Sequence, residues 1–100
     1  MARILKADAE MLLGRVPDDR VFWCCDGGIV VSMRQLGEAL NIMADETFTY
    51  HSNDERKDFA CWVKDVIGDE KLARDLTKAP NRNQAAKRVM ERIDFLSAKL

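Results

Sequence analysis

No apolar run in this sequence approaches the roughly 18 residues that a membrane-spanning helix needs. Near the beginning of the chain, Asp8 and Glu10 interrupt the apolar core that a secretion signal requires. We therefore expect a cytoplasmic protein that does not associate with a membrane. In that reducing compartment, its cysteines are expected to be free thiols.

The chain also lacks an excess of charge of either sign. Its 16 basic and 17 acidic residues give a net charge of -1, so there is no general electrostatic attraction to nucleic acid. Apolar residues make up 47% of the 100 residues, which excludes a disordered chain and is enough for one core. We expect a single helical domain over residues 1–100 that needs neither disulfides nor a metal ion.

The three cysteines do not have the spacing of a metal site or a redox site. Cys24, Cys25 and Cys61 contain no C-x-x-C pair, the spacing of thioredoxin-like redox sites. A zinc site needs about four ligands, and His51 is the only histidine that could join the cysteines. Since successive side chains of a strand point to opposite faces, Cys24 and Cys25 could hardly bind one ion. The pattern predicts packing roles, no metal ion and no cofactor, with redox sensing as a weaker alternative.

His51 and the aspartates form no recognisable catalytic pattern. His51 has Asp26 or Asp58 as a potential partner, but no nucleophile with a helper stands out. Asp26 is explained by a turn and Asp69 by a helix cap. We expect His51 to bond to a cap or a backbone carbonyl, and we predict no catalytic residue and no enzymatic activity.

Apolar residues recur at helical spacing through most of the chain. The pattern predicts helices over residues 2–16, 32–43, 70–78 and 83–100, and a short turn or helix from residue 45. "SNDE", residues 52–55, has the form of a capping box and predicts the start of a helix that Gly68 ends.

Residues 21–25 and 28–31 are rich in aromatic and β-branched side chains on either side of Asp26-Gly27. Asp-Gly between two such runs predicts a β-hairpin with a type I′ turn. Two strands alone are marginally stable, so one face should pack on helices. We therefore predict a mainly α fold, a small multi-helix bundle with one short hairpin at about residues 21–31. Four large aromatic residues are expected near its core: Phe22, Trp23, Phe59 and Trp62.

Rare aromatic residues also recur at a characteristic spacing between residues 20 and 76. The pattern is F-W-C-x-D-G from Phe22, then F-x-Y-H from Phe48, then D-F-x-x-W-V-x-D-V-I-G-D-E-K-L-A from Asp58. It resembles an uncharacterised family of small archaeal and bacterial helical domains. The resemblance implies a helical fold, a cytosolic setting and no assigned activity. Cys25 stands where family members often carry another residue, which argues against a required pair of thiols.

Basic residues are concentrated in the last third of the chain. Residues 71–92 contain seven basic and two acidic side chains, and this flank could meet phosphate groups. The candidates for nucleic-acid or phosphate binding are Lys78, Arg82, Lys87, Arg88 and Arg92. The alternative is a solvated helix face with pairs such as Lys87–Glu91.

Cys61 lies about 200° around its predicted helix from Phe59, away from the apolar face. It is therefore predicted to be exposed, or covered by another element or subunit. Its neighbours Lys57 and Lys64 make it a candidate reactive thiol, and the alternative is an inert or contact role.

Phe95 also lies off the buried stripe predicted for its helix, which is typical of a wide buried face or a partner surface. We predict a non-enzymatic cytosolic module that binds a protein partner or a second copy, which would give a homodimer. The alternative is an accessory domain that binds nucleic acid or phosphate through residues 71–92.

Overall fold

Residues 4–100, which the computed structural model describes, form six α-helices and one antiparallel β-hairpin. The helices are α1 (Lys6–Leu13), α2 (Met33–Ile42), α3 (Asp45–His51), α4 (Asp58–Trp62), α5 (Glu70–Lys78) and α6 (Arg82–Ser97). The strands are β1 (Phe22–Trp23) and β2 (Ile29–Val30), and α4 continues as a π-helical segment, Val63–Ile67. The predicted mainly α fold with one hairpin is confirmed.

Helices α2 and α6 pack against each other at the centre of the molecule. Their buried stripes are Met33, Leu36, Leu40 and, on α6, Val89, Ile93 and Leu96. The two helices approach closely at Gly37, where an added Cβ would lie 2.9 Å from Met90 Sδ and 3.2 Å from Val89 Cγ1. Helix α1 packs on α6 and α2, while α5 joins α6 to α4. The helical spacing in the sequence therefore identified the faces of the two central helices correctly.

The ends of the predicted stripes are less accurate than their centres. Leu5 and Leu100 continue the apolar spacing of α1 and α6, which predicts that they face the core, but both are exposed. Helix α1 begins at Lys6, and residues 2 and 3 of the predicted helix lie outside the described residues. Helix α6 begins at Arg82 because the side chain of Asn81 accepts the Gln84 N–H and caps it. Helix termini depend on such local caps, which apolar spacing does not indicate.

The hairpin pairs Phe22 with Val30 and Trp23 with Ile29. Phe22 and Val30 are buried against the helices, whereas Trp23 and Ile29 are exposed. The prediction that Trp23 lies near the core is therefore wrong. Because side chains alternate along a strand, packing Phe22 inward forces Trp23 outward.

The predicted type I′ turn is also wrong. The Cys24 N–H donates to the Gly28 C=O, and the Gly27 N–H donates to the Cys24 C=O, at 2.9 and 3.0 Å. Residues 25–27 are thus a three-residue loop in which Gly27 alone has a positive φ, of 94°. A turn followed by a left-handed glycine is the usual geometry of such loops.

Residues 52–57 do not begin a helix, contrary to the capping-box prediction. Asn53 Oδ1 accepts the N–H groups of Glu55 and Arg56, at 2.9 and 3.0 Å. Ser52 and Lys57 form an isolated antiparallel bridge around this turn. Helix α4 begins only at Asp58 because Asn53, rather than Ser52, satisfies the local backbone donors.

The π-helical segment ends where the sequence predicts a stop. Val63 C=O accepts the N–H groups of both Gly68 and Asp69, at 2.7 and 3.2 Å. Gly68 has a φ of 92°, a conformation that side chains disfavour. Asp69 then caps α5 by accepting the Leu72 N–H at 3.1 Å, as predicted. None of the helices formed by residues 4–100 has the length and apolar character needed to cross a membrane.

Candidate functional site

His51 is almost fully buried, with 4% of its surface exposed. Its Nε2 accepts the Cys25 N–H at 3.0 Å, and its Nδ1 lies 2.9 Å from Asp58 Oδ2. Because Nε2 is an acceptor, the ring proton is on Nδ1 and is donated to Asp58. His51 therefore connects the hairpin loop to the first residue of α4. Its partners are a backbone N–H and a carboxylate rather than the predicted cap or carbonyl.

Aromatic rings enclose His51 as well. The centroids of Phe22, Phe59 and Tyr50 lie 5.1, 5.3 and 4.9 Å from that of the imidazole. Both ring nitrogens are already bonded, so neither is free to take a proton from a substrate. Within residues 4–100, no three or more His, Cys, Asp and Glu side chains are grouped to hold a metal ion. The arrangement is that of a structural connection.

The three thiols are free and have different surroundings. Cys24 is buried, whereas Cys25 and Cys61 are exposed, as predicted for Cys61. Burial raises the pKa of the Cys24 thiol, and the charge of Asp26 acts in the same direction. Cys24 is therefore protonated and unreactive at neutral pH. Cys61 lines a cavity of about 350 Å³ together with Lys57 and Lys64, and its reactivity stays a prediction.

Arg92, one of the five candidate phosphate-binding residues, is mostly buried in an ion pair with Asp69. Its Nε and Nη2 donate to the two carboxylate oxygens at 2.7 and 3.1 Å. The side chains of Arg92 and Asp69 are 10% and 1% exposed. Because Asp69 also caps α5, this pair joins α5 to α6. Spacing in the sequence gave no sign of a pair between residues 23 positions apart.

The other four basic candidates differ in how they are bonded, and two of them, Lys78 and Arg88, line one small pocket. Arg82 Nη1 donates to the carbonyls of Leu40 and Asn41, at 2.8 and 2.9 Å. Arg82 thereby caps the end of α2, and its Nε pairs with Asp45. Arg88 pairs with Glu91 at 3.3 Å. Lys78 and Lys87 are exposed, and neither has an acidic partner within residues 4–100.

A groove between the hairpin and α2, here called the hairpin groove, has a volume of about 350 Å³. Its lining consists of Cys24, Asp26, Gly28, Ile29, Val30, Gln35, Glu38, Ala39, Ile42 and Met43. Ile29 is half exposed, Ile42 is 85% exposed, and Trp23, the strand partner of Ile29, is 69% exposed. Asp26 and Glu38 are acidic, and no lining residue is basic. The groove thus combines exposed apolar side chains with an acidic rim.

The sequence contains one sign of the hairpin groove. Ile42 lies off the α2 stripe formed by Leu36, Leu40 and Met43, just as Phe95 lies off the stripe of α6. An exposed large apolar side chain on an otherwise amphipathic helix indicates a contact surface. The exposure of Trp23 next to Ile29 depends on strand register, which apolar spacing does not indicate.

A second, larger groove, here called the cationic groove, lies between α1, the π-helical segment, α5 and α6 and has a volume of about 910 Å³. Its lining consists of Ile4, Leu12, Lys64, Gly68, Asp69, Glu70, Lys71, Arg74, Asp75, Arg88, Glu91, Arg92, Phe95 and Lys99. Phe95 is 45% exposed there. Arg92 Cζ and Lys99 Nζ lie 5.2 and 5.0 Å from the centre of its ring. The off-stripe position of Phe95 therefore places it in a groove.

Comparison with known proteins provides no relative for this chain. No family model, curated protein or solved structure matches it. The resemblance carried by the aromatic spacing stays a prediction, and the functional inference rests on the two grooves.

Proposed function

We propose that this chain is a non-enzymatic cytoplasmic protein-interaction module that binds its partner in the hairpin groove. The observation that carries the proposal is the exposure of Ile29 and Ile42 in the lining of a concave surface, with Trp23 as the exposed strand partner of Ile29. Fully burying an aliphatic side chain of this size is worth about 1.5–3 kcal/mol. Tryptophan is enriched among the residues that dominate binding energy in interfaces.

The negative charge at the hairpin groove favours a partner with basic side chains. Asp26 and Glu38 lie at the groove without a basic residue in its lining. A partner segment with an apolar side chain flanked by lysine or arginine complements this surface. A two-fold dimer through the same groove would bring two acidic rims together, which costs energy. We therefore assign the hairpin groove to a basic, apolar segment of another protein rather than to a second copy.

The non-enzymatic part of the proposal is supported by how the polar side chains are used. His51, the only histidine, is enclosed and bonded through both nitrogens. The most buried thiol, Cys24, is held protonated by a raised pKa. The thiol in the lining of the hairpin groove is therefore not activated as a nucleophile.

Selection from a displayed random-peptide library tests the proposal. Peptides enriched on the wild-type protein should carry an apolar side chain next to lysine or arginine, and Ile42→Glu should lose them. Met11→Glu is the matched control because Met11 is 72% exposed and lies outside the groove. Enrichment of acidic peptides, or equal enrichment on Ile42→Glu, contradicts the proposal. A dimer in sedimentation that Ile42→Glu dissociates would assign the groove to a second copy instead.

The alternative function, binding of nucleic acid or phosphate through residues 71–92, has less support. Lys78 and Lys87 favour it because both are exposed and lack an acidic partner within residues 4–100. Arg82, Arg88 and Arg92 already bond to other groups of the protein. A low-salt gel shift with RNA and DNA checks this alternative. Retardation that Lys78→Glu and Lys87→Glu abolish would establish it over the peptide-binding proposal.

A further inference from the structure

We infer that the cationic groove is a second binding site, which takes an acidic peptide segment carrying an apolar side chain. The site is separate from the hairpin groove, and no residue lines both. The inference rests on three properties of the lining: unpaired positive charge, an apolar floor and a rigid wall.

The positive charge remains after the ion pairs of the lining are considered. Six basic and four acidic side chains line the groove. Arg92 pairs with Asp69, Arg88 with Glu91, and Lys71 with Asp75 at 2.8 Å. Within residues 4–100, the charges left without an ion pair are Lys64, Arg74, Lys99 and Glu70. Three cations against one carboxylate attract a segment of negative charge.

The floor of the groove is apolar. Ile4, Leu12 and Phe95 lie in it, and Phe95 keeps nearly half of its surface exposed. A free phosphate ion would leave this apolar area in water. An apolar side chain of a bound segment would cover it, and each CH₂ group buried contributes about 0.8 kcal/mol. The lining therefore favours a ligand with both carboxylates and an apolar side chain.

The distribution of charge favours a peptide over nucleic acid. Glu70, Asp75 and Glu91 are interspersed among the cations. Duplex DNA has one negative charge per about 1.7 Å of its axis, so these carboxylates would meet phosphates at close range. An acidic peptide has wider spacing between its charges and can place them at Lys64, Arg74 and Lys99 alone. Arg92 and Lys99 already lie near the Phe95 ring, which disfavours stacking of a base there.

The wall that contains Arg92 is rigid before any ligand binds. Its guanidinium is held by two hydrogen bonds to Asp69, and Asp69 is held by the N-terminus of α5. A preformed wall reduces the entropy that binding must overcome. This geometry supports a site for a short segment rather than a surface that forms only on binding.

Fluorescence anisotropy with a defined probe tests the inference. The probe is a short fluorescein-labelled peptide of Glu, Asp, Leu and Phe, and we expect saturable binding that weakens as salt increases. The double variant Lys64→Glu/Arg74→Glu should weaken binding by about tenfold or more. Lys87→Glu is the matched control, since Lys87 is an exposed lysine of α6 outside the groove. Both substituted side chains of the double variant are exposed, and circular dichroism verifies that it folds.

Two further measurements make the test decisive. A probe in which Gly and Ser replace Leu and Phe should bind much more weakly, and Phe95→Ala should reduce the difference between the probes. Ile42→Glu should leave binding unchanged, so the result is independent of the hairpin groove. Non-saturable binding, equal binding of both probes, or tighter binding of a single-stranded oligonucleotide of equal charge would each overturn the inference.

Discussion

The two grooves differ in charge and in how their walls are held. The hairpin groove has an acidic rim, and His51 fixes its hairpin wall by hydrogen bonds to the Cys25 N–H and to Asp58. The cationic groove has an excess of basic side chains, and the Asp69–Arg92 ion pair fixes its wall. His51 and Asp69 are the buried polar or charged residues of the part of the chain that the structure describes. One small fold thus presents two grooves of opposite charge, each supported by one buried polar connection.

Among the substitutions that test this comparison, Asp69→Ala is expected to lower the free energy of unfolding the most. The substitution removes the cap of α5 and leaves Arg92 as an uncompensated, mostly buried charge. Breaking a buried pair in this way costs about 3–5 kcal/mol. Urea unfolding followed by circular dichroism measures the loss. Asp69→Asn is the control, because it retains a cap while removing the charge. A loss below about 1 kcal/mol would show that the pair does not hold the wall.

A smaller loss is expected from His51→Ala. It removes the hydrogen bonds to Cys25 and Asp58 and leaves a space among the aromatic rings. Lost hydrogen bonds and packing of this kind cost about 2–4 kcal/mol. Asp58 keeps its bond to Arg56, at 2.7 Å, which limits the damage. The same unfolding measurement applies, with His51→Gln as the more conservative variant. If His51→Ala is more destabilising than Asp69→Ala, the ranking of the two connections is wrong.

Trp23→Ala should change stability by no more than about 1 kcal/mol, the range of a cross-strand pair. Trp23 is exposed, and its strand partner Ile29 is exposed as well. The side chain is therefore expected to serve binding more than folding, in contrast to Phe22 of the same strand. Phe22→Ala provides the comparison, with an expected loss of about 3–5 kcal/mol. Equal melting temperatures for these two variants would contradict the orientation of the strand.

The smallest effect is expected from the Cys24 thiol at alkaline pH. Because burial raises its pKa, the folded state retains this proton at a pH where the unfolded chain releases it. Its contribution is fully present below the unfolded pKa and is lost as pH rises through the folded pKa. Urea unfolding of the wild type and Cys24→Ala over alkaline pH measures the contribution. The wild type should lose stability faster, and parallel curves would contradict this prediction.

The sequence predicted the parts of the fold that depend on neighbouring residues. Apolar spacing identified the α2 and α6 stripes, and Gly68 and Asp69 marked the boundary before α5. These features depend on local conformation and on periodic burial, which a sequence displays directly. These helix faces and boundaries determine where both grooves lie, but they do not show which residues line them.

The predictions that the structure contradicts depend on competing local structures or on contacts between distant residues. "SNDE" did not start a helix because Asn53 bonds the following amides, a competition between two local structures of similar energy. Hydrophobicity alone could not show that Trp23 faces outward, because only the register with β2 decides its face. The Asp69–Arg92 pair and both grooves are formed by residues far apart in sequence. Pairwise spacing contains no information on such contacts.

The two exposed thiols, Cys25 and Cys61, allow fluorescent dyes to be attached near each groove. Cys25 lies in the hairpin loop next to Asp26 of the hairpin groove, and Cys61 lies in a cavity whose lining includes Lys64 and Arg74 of the cationic groove. Maleimide dyes should therefore label two positions and spare buried Cys24, without any engineered cysteine. An environment-sensitive dye on one thiol, with the other replaced by serine, would report occupancy of the neighbouring groove, so that each partner could be followed separately.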